Sequence, residues 1–166
     1  IPEKFFVFTS GAIYGPSKQW PVDNYRNLSK QLYKAFGYEI LLLGTIDDIE
    51  SGTKIAHDHD WIHNYCGKTT LAQLLAILTK AQLLVGNDSG SMHLMAALQR
   101  PQIAVFGSTS PIWTGPINTN ATVMSSNLTC SPCFSRTCRF GHYDCLTQIN
   151  PENVFAEAQK YLSKVY

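Results

Sequence analysis

No apolar run in this sequence approaches the roughly 20 residues that a membrane-spanning helix needs. The longest greasy stretches are strand-sized, such as Ile40 to Leu43 and Leu83 to Val85. Excess charge of either sign is lacking too. Thirteen Lys+Arg stand against twelve Asp+Glu, a net charge of +1, so electrostatics give no reason to expect duplex nucleic acid as the main partner. Charged residues make up 15% and hydrophobic residues 45%, a globular composition that excludes a disordered tail. A complete Walker A loop is missing as well. Gly67-Lys68-Thr69 has its ending, but the pattern requires glycine at position 62, where Ile62 stands. There is no initiator Met, and Ile1-Pro2-Glu3-Lys4 leads almost at once into Phe5-Phe6-Val7-Phe8. The chain is therefore expected to be cut from something longer or processed, and no targeting segment is legible. Its 166 residues suit one domain, 1–166.

Cysteine is present but odd in number. Cys66 stands alone, while Cys130, Cys133, Cys138 and Cys145 cluster within sixteen residues. An odd count argues against a fully paired secreted framework, and a core of this size needs no covalent staples. Four N-x-S/T triplets, at Asn27, Asn87, Asn120 and Asn127, are read as chance in a chain rich in Asn, Ser and Thr. These features together favour a reducing, cytoplasmic location.

The pattern alternates strand and helix. Strands are expected at 5–9, 39–43, 62–65, 82–85, 103–106 and 121–124. Helices are expected at 47–57, 71–81 and 89–98, with another running from a cap at Asp23 to Gly37 and a last one from Pro151 through Lys164. In the third helix Leu71, Leu74, Leu75 and Leu78 share one face, with Thr70 as cap. Continuous apolar strands between amphipathic helices mean a mostly parallel sheet covered on both faces, an α/β Rossmann-like domain of three layers. The stretch from Asn127 to Gln148 is long and irregular, and its length calls for a function or an internal tether.

In an open α/β sheet, ligands bind beyond the carboxyl ends of the strands. Four polar, glycine-containing loops lie there. The loop from Ser10 to Pro21 carries Lys18 just before a helix start, where unsatisfied N–H groups also favour an anion, so phosphate binding is the better reading than a solvated lysine. Gly86-Asn87-Asp88-Ser89-Gly90-Ser91-Met92-His93 joins a strand directly to a helix. Ser89, Gly90 and Ser91 would offer backbone N–H groups to a diphosphate. Asp88 would repel that diphosphate, so it is expected to cap the helix or to accept bonds from sugar hydroxyls. His93, four residues after Ser89, either donates to a phosphate or sugar oxygen or is a buried, satisfied histidine. Thr69 faces the crevice in the third loop, and Gly107-Ser108-Thr109-Ser110-Pro111 is either a ligand contact or a plain turn.

Two clusters hold metal-ligand residue types. His57-Asp58-His59-Asp60, with His63 nearby, reads better as a solvated loop. For Cys130, Cys133, Cys138 and Cys145, with His142, three readings stand open: a zinc or other metal site, disulfides, or reduced thiols used in packing or interaction.

Taken together, Tyr14-Gly15-Pro16-Ser17-Lys18-Gln19-Trp20-Pro21, Gly67-Lys68-Thr69-Thr70-Leu71, Gly86 to His93, Phe106-Gly107-Ser108-Thr109-Ser110-Pro111 and the Cys130 to Cys145 loop with Gly141-His142 resemble the C-terminal domain of the ADP-heptose–lipopolysaccharide heptosyltransferases, most closely their type II branch. The resemblance runs over nearly the whole chain, in order. It implies one half of a GT-B glycosyltransferase, the donor-binding half, with the N-terminal acceptor domain absent from this chain. By the resemblance, Lys18 contacts the donor diphosphate and stabilises it as leaving group. Asp88, Ser89, Gly90 and His93 line the diphosphate and heptose, Thr69 lies near the nucleoside, and Asp48, less so Asp47, meets the ribose or adenine. Ile13 and Tyr14 stand where some members carry two Thr, so no hydroxyl-to-phosphate contact is carried over there, although Tyr14 brings a hydroxyl of its own.

The implied reaction moves L-glycero-D-manno-heptose from ADP-heptose to an inner-core heptose of lipopolysaccharide, with inversion. ADP leaves with growing negative charge, which Lys18 and the helix N-terminus at Ser89 can meet without a divalent metal. No metal site or cofactor is therefore assigned. The general base is implied to be an Asp of the N-terminal domain, so none is named in this chain. The full-length protein is implied to sit on the cytoplasmic face of the inner membrane. A different GT-B enzyme of UDP-sugars, whether transferase or epimerase, and a nonenzymatic nucleotide- or metal-binding module are the competing readings.

Overall fold

The run Phe5-Phe6-Val7-Phe8 cannot sit on a half-wet sheet, because all four side chains are buried. In a strand, successive side chains point to opposite faces. Phe6 and Phe8 join one core with Tyr25, Leu28 and Leu32, while Phe5 and Val7 join another with Ile77, Leu78 and Met95. Only a sheet covered on both sides satisfies that pattern.

A computed structural model describes residues 1–163 and shows such a sheet. Its strands are β1 (Phe5–Thr9), β2 (Glu39–Leu42), β3 (Ile62–Asn64), β4 (Leu83–Asn87), β5 (Gln102–Phe106) and β6 (Ala121–Ser125). All pairings are parallel, in the order β3-β2-β1-β4-β5-β6. The helices are α1 (Val22–Phe36), α2 (Ile49–Ala56), α3 (Leu71–Lys80), α4 (Gly90–Ala97), α5 (Pro111–Thr114), α6 (Asp144–Thr147) and α7 (Pro151–Leu162). Helices α1, α2 and α7 pack on the Phe6/Phe8 face, and α3 and α4 on the Phe5/Val7 face. Among the described residues, no helix is long and apolar enough to cross a membrane.

The expected architecture holds, and several local readings change. Asp23 does not cap α1. The helix starts two residues earlier, with Pro21 at the cap and Asp23 in the first turn, where its charge still favours the helix dipole. The helix expected at 47–57 is a 3₁₀ turn, Ile46–Asp48, followed by α2. Strand β4 runs two residues further than its apolar segment, through Gly86 and Asn87. The leucine stripe of α3 is rotated: Ile77 and Leu78 are the buried pair, while Leu71 is 63% exposed. Thr70 caps α3 as expected, in a reciprocal capping box with Gln73. Lys164, the expected end of the last helix, lies outside the described residues.

Candidate functional site

The strand order reverses direction between β1 and β4. The loops leaving these two neighbours run to opposite faces and open a crevice at their carboxyl ends. Asn87, the last residue of β4, holds the crevice in shape. It is fully buried. Its amide donates to the Ser10 carbonyl at 2.8 Å, and its Oδ1 accepts from the Trp20 backbone N–H at 3.0 Å and the Tyr25 hydroxyl at 3.2 Å. One side chain thus ties the β1 loop, the entry to α1 and the end of β4 together. Sequence reading placed Asn87 only at a strand end and missed this role. Burial pushes the Tyr25 phenol well above its ordinary range, so it stays a neutral donor in this network.

The next residue, Asp88, is 6% exposed and neither caps α4 nor stands alone. Its Oδ2 accepts from Lys18 Nζ at 2.6 Å, from the Thr109 hydroxyl at 2.7 Å and from the Thr114 hydroxyl at 3.0 Å. Oδ1 accepts no hydrogen bond among the described residues. A buried carboxylate needs such partners, since an unpaired charge there is expensive. The same pair fixes Lys18, whose ammonium also lies 4.7 Å from the centre of the Tyr14 ring. Ser89 is the N-cap of α4 by backbone position, yet its hydroxyl makes no capping bond. That hydroxyl is shielded from solvent and without a partner among the described residues.

The irregular stretch before α6 explains why the Lys18 turn is rigid. The Ser17 N–H donates to the Arg136 carbonyl at 3.2 Å, the Ser17 hydroxyl to Ser135 O, and the Tyr14 hydroxyl to Phe134 O. The Phe134 N–H donates to Ser108 O at 2.8 Å, and the Ser131 hydroxyl to Gly107 O at 2.7 Å. The stretch is therefore the expected internal tether, clamping the β1 and β5 loops together. Gly15 must be glycine here: its φ is +144°, and an added Cβ would lie 2.5 Å from the Arg136 carbonyl oxygen.

A hollow of about 610 Å³ opens beside Asp88, within the range of small-ligand sites. Asp48, Thr69, Asp88, Ser89 and Gly90 all line it. Lys18 does not line it and is joined to its wall through the bond to Asp88. Asp47 and His93 do not line it; His93 is exposed on α4 and is not the buried histidine of the alternative reading. Asp48 accepts from the Thr45 N–H at 2.7 Å and from the Thr45 hydroxyl at 2.9 Å, both on Oδ2. Its carboxylate occupies the space a side chain at Gly11 would fill. Leu43, Ile46, Leu71, Leu74 and Leu94 supply apolar walls. Sequence reading missed these as ligand walls; Leu71 and Leu74, for example, read as members of a core stripe. It also missed Thr114, whose bond to Asp88 spans 26 positions with no local signal.

The two metal-type clusters do not converge on a common point; among the described residues no group of three or more ligating side chains is placed to hold an ion. His63 pairs with Glu39, and His59 stacks on Trp61. All five cysteines are free. Burial, and secondarily the Asp48 charge, pushes the Cys66 thiol up to about 11. Backbone N–H groups, that of Tyr143 first, hold the Cys138 thiol below its usual range.

Comparison with known proteins agrees with this geometry. The family model described as Glycosyltransferase family 9 (heptosyltransferase) matches residues 1–144. Lipopolysaccharide heptosyltransferase 2 of Salmonella typhimurium is 34% identical over 162 residues, which covers 95% of this chain and 46% of that protein. The structure of E. coli ADP-heptose lps heptosyltransferase II superimposes with a TM-score of 0.85 at 34% identity, over 98% of this chain and 47% of its own. The structure of E. coli heptosyltransferase WaaC with ADP gives a TM-score of 0.76 at 26% identity, over 95% and 44% respectively. The chain spans about half the length of the curated relatives it matches.

Proposed function

Because the chain belongs to glycosyltransferase family 9, the heptosyltransferase family, we propose that it is the nucleotide-sugar half of an inverting heptosyltransferase. In this reading ADP-heptose is the donor, an inner-core heptose of lipopolysaccharide is the acceptor, and the acceptor is held by a separate N-terminal domain. The work is done at the cytoplasmic face of the inner membrane. The observation that carries the reading is the Lys18–Asp88 pair, 2.6 Å apart, whose Asp88 lines the hollow just before the amino end of α4.

The chemistry follows from those groups. As the glycosidic bond breaks, negative charge grows on the departing diphosphate. Lys18 has three N–H donors and spends one on Asp88, leaving two for phosphate oxygens. The first N–H groups of α4 have no intrahelical partner and sit at the positive end of its dipole. The orphaned Ser89 hydroxyl adds a further donor. These groups are in place before the reaction, which is what makes such stabilisation effective. Asp88 does not repel the diphosphate in this arrangement, since Lys18 and two threonine hydroxyls absorb its charge on Oδ2 and leave Oδ1 for a sugar hydroxyl. Asp48 and Thr69 face the ribose and base, and Leu71 and Leu74 cover the base. His93, on the exposed side of α4, reaches the heptose only from outside the hollow. No group in this chain is assigned as the base that deprotonates the acceptor; that role falls to the other domain, so the chain alone binds donor and transfers nothing.

Calorimetric titration tests the reading. ADP binds and UDP competes poorly. Lys18→Ala weakens ADP binding by about 1–3 kcal/mol, the worth of a charge-assisted contact. Equal binding of UDP, or unchanged affinity for ADP in the variant, overturns it. So does heptose transfer by the isolated chain.

A further inference from the structure

Next to Asp88, the turn after β5 presents a surface that donor binding does not use. Helix α5 places Trp113 in solvent at 76% exposure. The indole stacks on Phe134, with ring centres 4.9 Å apart and planes 25° from parallel. An aromatic surface this open marks a contact site, and this one is rigid. Phe134 is held at a φ of +55°, a region that non-glycine residues rarely visit. Its N–H donates to Ser108 O at 2.8 Å, and its carbonyl accepts from the Tyr14 hydroxyl. The Trp113 backbone N–H donates to Ser110 O at 3.0 Å. The adjoining Thr114 donates to the same Asp88 oxygen that binds Lys18. The platform is thus bolted to the carboxylate at the sugar end of the proposed donor site. Arg136 lies beside it, its guanidinium 5.2 Å from the centre of the Tyr14 ring. Among the described residues Arg136 makes no ion pair.

The geometry points to the Trp113–Phe134 platform and Arg136 as a subsite on this chain for an anionic saccharide unit of the acceptor, outside the reacting heptose that the N-terminal domain holds. This rests on the reading of Lys18 and Asp88 as the donor's sugar–diphosphate junction. The face of an indole is negative and attracts the polarised C–H face of a pyranose. A guanidinium takes phosphate or carboxylate in a two-pronged geometry. The exposed Arg136, with no ion pair among the described residues, suits an anionic, hydroxyl-bearing occupant better than a lipid or a wholly apolar protein face. Ile112, at 91% exposure, is the flank that a packing protein segment would cover instead.

Two measurements test this. The first is steady-state transfer by the complete enzyme, from ADP-heptose to a lipid-free phosphorylated inner-core oligosaccharide. Trp113→Ala raises the acceptor KM tenfold or more and leaves the ADP-heptose KM within twofold, while Trp113→Phe restores most of the loss. Arg136→Gln raises KM for the phosphorylated acceptor and not for the same acceptor after phosphatase treatment. An unchanged acceptor KM with a lowered melting temperature means that the platform packs on protein, and it overturns the proposal. So does an equal effect of Arg136→Gln on both acceptors. The second measurement does not depend on transfer. The indole N–H resonance of Trp113, assigned with Trp113→Phe, shifts saturably with mannose 6-phosphate, less with mannose and not with inorganic phosphate. No shift, or the same shift with phosphate alone, overturns the subsite. Lack of transfer by the unsubstituted enzyme overturns the donor reading and leaves this second arm to be read separately.

Discussion

At the scale of the residue, the site depends on a few side chains whose roles differ from what their positions suggested. Asp88 was legible as important, because it opens a helix directly after a buried strand. Its two readings, helix cap or acceptor of bonds from sugar hydroxyls, placed it near Lys18 at the diphosphate but named no bond between the two. Seventy positions separate the two, and only the return of β4 beside β1 brings them together. Asn87 stood inside the strand-to-helix motif with no role of its own assigned, since an asparagine at a strand end is commonplace. Its network predicts that Asn87→Ala destabilises the fold by roughly 1–3 kcal/mol for each buried partner left unsatisfied, seen as a lower urea midpoint; an unchanged midpoint denies it a structural role. The thiols differ as well. Cys66 is protonated more firmly in the fold than in the unfolded chain, since its value rises from 9.0 to about 11. Its contribution to stability is therefore full below about pH 9 and is lost as pH climbs toward 11. Tyr25, also raised, acts in the same direction from a higher starting value. Urea unfolding between these pH values, with and without Cys66→Ala, checks this: the substitution flattens the decline. In a thiol-alkylation series Cys138, with its thiol lowered by backbone N–H groups, reacts at lower pH than Cys66; the reverse order contradicts that assignment.

At the scale of the element, strands and helices were readable wherever a period repeated. The buried run of β1 and the spacing of Tyr25, Leu28 and Leu32 in α1 needed no tertiary information. Boundaries failed where a local competitor won. Pro21, rather than Asp23, takes the cap of α1. The side chain of Asp48 closes a capping box on Thr45 and turns the start of the next helix into a 3₁₀ segment. The stretch before α6 has no period, and its role as a clamp rests on backbone carbonyls that every sequence possesses. Helix α4 carries the sharpest element-level prediction. A Cβ at Gly90 would meet no atom within 4 Å, so Gly90→Val is compatible with the fold. Its branched side chain projects where the diphosphate is proposed to lie. The variant keeps its melting temperature to within a few degrees and loses ADP binding in calorimetry. Normal binding would place the diphosphate elsewhere.

At the scale of the whole molecule, the parallel sheet in the order β3-β2-β1-β4-β5-β6 puts a ligand crevice at one predictable place. That is why the loops carrying Lys18, Thr69 and Asp88 could be nominated from strand ends, whereas Asp48 was implied only by the family resemblance. What strand ends cannot provide is the second wall of the cleft. The chain accounts for about half of its relatives' length, and the platform at Trp113 is left exposed by the described residues. The proposed division, with donor binding in this chain and acceptor activation in a separate domain, is consistent with both facts. The most direct test of that division is a crystal structure of the chain with ADP. The account predicts the diphosphate within hydrogen-bonding distance of both Lys18 Nζ and the backbone N–H groups that open α4, with the adenine between Thr69 and Leu71. A diphosphate bound away from Lys18, or with no contact to the first turn of α4, would contradict it.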